Sequence, residues 1–149
     1  MSKALGGVTI LQKGESDIIA VNTEGAESRA AHEASKISPN EGGEQKEVVV
    51  VQTPGGMKRC GGQGDILSGS VGAFLAWAKC YESGAFGDNA IPVSRMPILA
   101  AVGASMVTRT TSRIAFEEMG RAVVTQDMLK KIGGAFAEVF GSGQQGGRL

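Results

Sequence analysis

Asp65 closes a glycine-dense run, Arg59-Cys60-Gly61-Gly62-Gln63-Gly64-Asp65-Ile66-Leu67-Ser68-Gly69, with glycine at three of the four positions 61–64. Glycine leaves backbone N–H groups unshielded by side chains, and such groups converge readily on an anion. Ile66, Leu67, Val71, Phe74, Leu75 and Ala78 recur at helical spacing after it, which predicts a helix with these positions in the core. The first N–H groups of that helix and the positive end of its dipole fall at the same spot. Asp65 is the only acid in the run. An acid beside a phosphate cradle is a candidate base for activating a hydroxyl that attacks a phosphoryl group. Asp is also among the preferred helix N-caps, and the two roles are compatible. The leading expectation is a phosphate-handling enzyme.

The run from Lys58 to Leu75 resembles the signature of the eukaryotic ATP-dependent NAD(P)H-hydrate dehydratases, within the ribokinase-like superfamily. Val8-Thr9-Ile10-Leu11-Gln12-Lys13-Gly14-Glu15-Ser16-Asp17 is similar to that family's strand and KGxxD nucleotide element. Thr108-Arg109, Ala115-Phe116, Gly120-Arg121 and Thr125-Gln126-Asp127-Met128 resemble its closing helices in order and spacing. The resemblance implies a repair enzyme. With ATP it phosphorylates the hydroxyl of a hydrated nicotinamide ring, then eliminates phosphate to restore NADH or NADPH. It implies ATP contacts at Lys13, Gly14, Glu15, Ser16 and Asp17. Further contacts would come from Gly55, Gly56, Met57, Lys58, Arg59, Cys60, Gly61, Gly62, Gln63 and Gly64. Asp65 would face the hydrate and take the proton from its hydroxyl, while the Gly61–Gly64 amides would stabilise charge on the transferred phosphoryl group. Mg²⁺ would arrive with ATP, bridging its phosphates. The functional companion would be an NAD(P)H-hydrate epimerase. A homo-oligomer and a cytoplasmic location, with mitochondria the alternative, complete the expectation. Family members are longer, and an Asn-x-x-Glu-Phe-like element that contacts the hydrate has no counterpart here. The chain is therefore expected to be the C-terminal half of such a domain. Two other readings stay open: a ribokinase-like small-molecule kinase that stops at the phosphorylated alcohol, and a non-catalytic nucleotide-binding remnant.

Positioning these residues calls for an α/β fold, strands first and three helices after, as in the C-terminal half of a ribokinase-like three-layer domain. Val8–Gln12 and Ile18–Val21 read as strands about the Lys13–Ser16 turn. Glu47–Gln52 carries four consecutive valines, a run expected of a strand buried on both faces. Thr53-Pro54-Gly55-Gly56 offers Pro and Gly where a type II turn wants them. Gly69, Gly72 and Ala73 are small enough for close helix approach. Ser94 is a candidate N-cap for a second helix with Pro97 in its first turn, running to about Glu118 and ending near Gly120. A third helix is expected from Thr125 as cap, with Met128, Leu129, Ile132, Phe136, Val139 and Phe140 as its stripe. The domain is taken as residues 1–141, with a polar insertion at 22–46 and a flexible tail at 142–149.

Composition narrows the classes. The 149 residues are 42% hydrophobic, ordinary for a soluble domain, with 15 basic and 15 acidic residues in balance. That neutrality gives no electrostatic reason to invoke nucleic acid or a membrane surface. No signal-peptide pattern is evident, and the apolar-leaning run Pro97–Val107 is too short to span a bilayer. Cys60 and Cys80 lack metal-ligand or redox spacing and read as reduced structural thiols. His32 is the only histidine, which excludes a Ser-His-Asp triad or a His-based metal site from credible positions. No GxxxxGK[ST] occurs, against a P-loop NTPase. Lys13 and Asp17 read on composition as ordinary turn charges, Lys58 and Arg59 as phosphate neighbours by a small margin, and Arg109, Arg113 and Arg121 as salt-bridge formers.

Overall fold

The computed structural model describes residues 1–22, 46–87 and 90–141, so most of the polar insertion and the tail lie outside the described residues. The contacts divide the chain into two compact units, Met1–Val51 and Gln52–Leu149.

The first unit is a three-stranded antiparallel sheet in the order β1 (Ile10–Gln12), β2 (Asp17–Asn22) and β3 (Lys46–Val51). β-Branched residues favour this pleated backbone. The register pairs Ile18 with Val50, Ile19 with Val49 and Ala20 with Val48. Side chains alternate between the faces: Ile19, Val21 and Val51 are buried, whereas Ile18, Val48 and Val50 stand 40%, 56% and 51% exposed. The valine strand is thus not buried on both faces, because the side that Val48 and Val50 share stands about half exposed. Ser2 holds the N-terminus to the sheet: its Oγ donates to the Val8 carbonyl at 2.7 Å and accepts the Asn22 amide at 2.9 Å.

The second unit is helical among its described residues: α1 (Gln63–Glu82), α2 (Met96–Met119), α3 (Thr125–Leu129) and α4 (Ile132–Phe140), with 3₁₀ turns at Val93–Arg95 and Gly120–Ala122. α2 is the hub, with α1, α3 and α4 all packed on it. Its buried face is built of small residues, including Ala100, Ala101, Gly103, Ala104, Ser105, Thr108, Thr111 and Ala115. This lets neighbours approach closely: a Cβ on Gly103 would lie 3.2 Å from Phe74. Phe74, Trp77, Phe136 and Phe140 stack edge-on and tilted between α1 and α4, with centroids 4.9–6.2 Å apart. A second cluster, Ile66, Ala115, Val123 and Met128 with Cys60, Phe116 and Ile132 against it, lies under the start of α1.

Several local expectations change. Gly55 has no positive φ, so Thr53–Gly56 is not a type II turn. Leu75 is exposed, outside the core assigned to it. Gly69 and Gly72 have no neighbour within 4 Å of an added Cβ, so neither serves close packing. Ser94 lies in the 3₁₀ turn and Arg95 is the residue before α2, with no side-chain cap bond. The expected third helix divides at Lys130–Lys131, and its N-cap is Val124, with Thr125 the first helical residue. The end of α2 at Gly120 stands as expected.

Candidate nucleotide-phosphate site

The segment entering α1 is shaped by the surface of α2. A Cβ on Gly56 would sit 2.5 Å from the Ser112 carbonyl oxygen, 2.8 Å from Ser112 Oγ and 3.0 Å from Phe116 Cβ. Glycine is what allows the backbone to pass there. Arg109 Nε donates to the Thr53 carbonyl at 2.5 Å. Gln63 Nε2 donates to the Lys58 carbonyl at 3.2 Å and to Ser112 Oγ at 3.4 Å. Met57 and Arg59 remain exposed.

Lys58 and Cys60 turn toward the segment after α2. Lys58 Nζ donates to the carbonyls of Arg121 at 2.8 Å and Val123 at 3.0 Å, committing two of its three donors. Cys60 Sγ donates to the Val123 carbonyl at 3.3 Å, and both cysteines are free thiols. Gly62 then caps α1 in the left-handed region, φ 92° and ψ −11°. A Cβ there would meet Thr125 Cγ2 at 3.0 Å. The Thr125 hydroxyl donates to the Gly61 carbonyl. Asp127 fixes the entry of α3 by accepting the Val124 amide at 2.9 Å.

What remains open is the outer side of the bend. Gly61 is exposed, and a Cβ on it would touch nothing within 4 Å. The amides of Gly61, Gly62 and Gly64 have no hydrogen-bonded partner among the described residues. Those of Asp65 and Ile66 already reach the Gly62 carbonyl, at 3.0 and 3.2 Å. Asp65 is the third residue of α1, exposed, and makes no side-chain cap bond. The cap is Gly62, so the carboxylate is left facing solvent beside the bend. Three bare amides at the start of a helix bind an anion, and an exposed carboxylate one turn in can accept a proton.

The remaining sequence-derived residues are described within their own units. In the first unit, Asp17 is buried and its Oδ1 accepts the Gly14 amide at 3.1 Å, closing the hairpin turn. Lys13 and Glu15 are exposed on that turn. Arg113 is a salt-bridge former as expected, paired with Glu117 at 2.7 Å and Glu138 at 2.5 Å. The hydrogen bond to Glu117, then that to Glu138, raises the pKa of its guanidinium. Sequence reasoning missed Ser112, which lies under Gly56, and the bond of Thr125 to the bend, Thr125 being read as a cap and as part of the closing-helix resemblance. Thr125 stands two positions before Asp127 in the quoted Thr-Gln-Asp-Met run, which was the available signal.

A sheet followed by helices, with a glycine bend leading into the first of them, makes this an α/β protein, and the family it matches is ribokinase-like. The family model described as NAD(P)H-hydrate dehydratase matches residues 2–133. The chain belongs to the NAD(P)H-hydrate dehydratase family. It is 40% identical over 147 residues to ATP-dependent (S)-NAD(P)H-hydrate dehydratase 2 of Puccinia graminis f. sp. tritici, covering 94% of this chain and 36% of that protein. The proteins named ATP-dependent (S)-NAD(P)H-hydrate dehydratase in Mycosarcoma maydis and Rattus norvegicus are 35% and 36% identical. They cover 97% and 94% of this chain and 37% and 33% of their own lengths. The chain therefore spans roughly a third of the length of the curated relatives it matches. Among the described residues no helix is long and apolar enough to cross a membrane.

Proposed function

We propose that this chain supplies the phosphate loop and the acid–base carboxylate of an ATP-dependent (S)-NAD(P)H-hydrate dehydratase. The observation that carries the reading is the open bend: three unpartnered glycine amides and the exposed Asp65 lie in one stretch of backbone. The names of the relatives supply the reaction. The amides of Gly61, Gly62 and Gly64 hold the terminal phosphates of ATP and meet the charge that grows on the γ-phosphoryl oxygens. Asp65 accepts the proton of the ring hydroxyl as its oxygen attacks γ-phosphorus and ADP departs. Cleavage of the ring C–O bond then expels phosphate, with loss of a proton from the adjacent carbon, and the ring double bond is restored. Mg²⁺ would come with the nucleotide and would neutralise charge on its phosphates. Among the described residues no group of three or more His, Cys, Asp or Glu side chains gathers to hold a metal ion.

The test is a chimera in which residues 1–141 replace the matching region of the Puccinia graminis relative, supplied with the S hydrate of NADH. NADH and free phosphate should appear only when ATP is present, and Asp65→Asn should abolish them while sparing ATP binding. A stable phosphorylated alcohol would instead identify a small-molecule kinase. ATP binding with no product of either kind would identify a nucleotide-binding remnant.

A further inference from the structure

The bend is held by a side chain from the start of α3. Thr125 donates its hydroxyl to the Gly61 carbonyl, and its methyl group occupies the space that a Cβ on Gly62 would need. The Gly61 carbonyl and the Gly62 N–H belong to one planar trans peptide, so they point in opposite directions. A hydroxyl that fixes the carbonyl on one side therefore aims the amide out of the other side. The Gly62 amide has no partner there among the described residues.

The surrounding contacts make this a lever. Lys58 and Cys60 anchor the strand of chain before the bend to the Arg121 and Val123 carbonyls. Asp127 fixes Val124, the residue before Thr125, through its amide. Between these two anchors the Gly61–Gly62 peptide has glycine on both sides of it. Glycine peptides flip readily where nothing restrains them, because both residues tolerate positive and negative φ. Among the described residues the Thr125 hydroxyl is the one hydrogen-bond donor to the Gly61 carbonyl.

We propose that Thr125 is a positioning residue for nucleotide phosphate: it locks the Gly61–Gly62 peptide with its N–H turned toward the bound anion. This rests on the phosphate-loop reading and adds the residue that orients the loop. Lys58, expected from sequence as a phosphate contact, acts in the same device, holding the loop to the α2 terminus.

The test compares Thr125→Val, which keeps the shape and removes the hydroxyl, with Thr125→Ser, which keeps the hydroxyl. ATP affinity is measured by calorimetry on the full chain, and thermal unfolding is followed without ligand. Thr125→Val should weaken ATP binding on the order of tenfold, equivalent to one well-made hydrogen bond. Its unfolding temperature should stay close to that of the unsubstituted chain, and Thr125→Ser should restore the affinity. Equal affinity in the valine variant overturns the proposal, and so does a serine variant as weak as the valine one. A chimera that fails to restore NADH while the Thr125 pair behaves as stated removes the reaction reading alone. Repair that proceeds normally with valine at this position removes the role of Thr125 alone.

Discussion

At the residue scale, two glycines in the same loop are glycine for different reasons. Gly56 is demanded by packing, with the Ser112 carbonyl 2.5 Å from where a Cβ would stand. Gly61 is demanded by neither packing nor a positive φ. Its bareness toward solvent is what an anion would need. Gly56→Ala should therefore destabilise the fold by about 1–3 kcal/mol, as overpacking does. Gly61→Ala should change stability by less than about 0.5 kcal/mol, as open surface sites do. Chemical denaturation with the ATP affinity measured alongside separates them: Gly61→Ala should stay folded and bind ATP on the order of tenfold more weakly. The glycine count of this loop was legible in the sequence. The division of labour among its glycines was not, because it depends on Ser112 and Thr125, which lie about 50 and 60 positions away.

At the scale of elements, α4 is tied to α2 by charge and to α1 by aromatic contact, and the two should weigh differently. Arg113–Glu138 and Lys131–Glu118 are surface pairs, with carboxylate side chains more than half exposed. Glu138→Gln should cost less than about 1 kcal/mol, since water and salt screen such pairs. Phe74 touches Trp77, Phe136 and Phe140 and fills the space left by Gly103, so Phe74→Ala should cost about 3 kcal/mol. Urea unfolding of both variants decides the ranking. The raised guanidinium pKa of Arg113 implies stability present below its unfolded value and lost only as pH climbs through the folded one. That window lies above the working pH range, so the pair has no alkaline switch in ordinary assays. Helical periodicity gave α1 and α2 nearly whole, because their apolar spacing and the Gly120 stop are local signals. The division of the last helix and the true caps at Gly62 and Val124 depended on contacts across the unit, which periodicity does not carry.

At the scale of the whole molecule, two units account for the described residues, and each shows a feature the composition did not announce. The sheet presents Ile18, Val48 and Val50 to solvent on one face. Four valines in a row pointed to burial on both faces, but a valine run says only that both faces are apolar, not that both are covered. In the helical unit, α2 buries hydroxyls at Ser105, Thr108, Thr110 and Thr111 among alanines, a face that a hydrophobic pattern reads as half polar. The family was legible because its motif is a local run of glycines and one acid. The clasp behind that motif was not. The most direct measurement is an ATP titration of the isotope-labelled chain, following backbone amides by NMR. The Gly61, Gly62 and Gly64 resonances should shift first and furthest. ATP that binds while those three amides stay still would contradict the phosphate-loop reading.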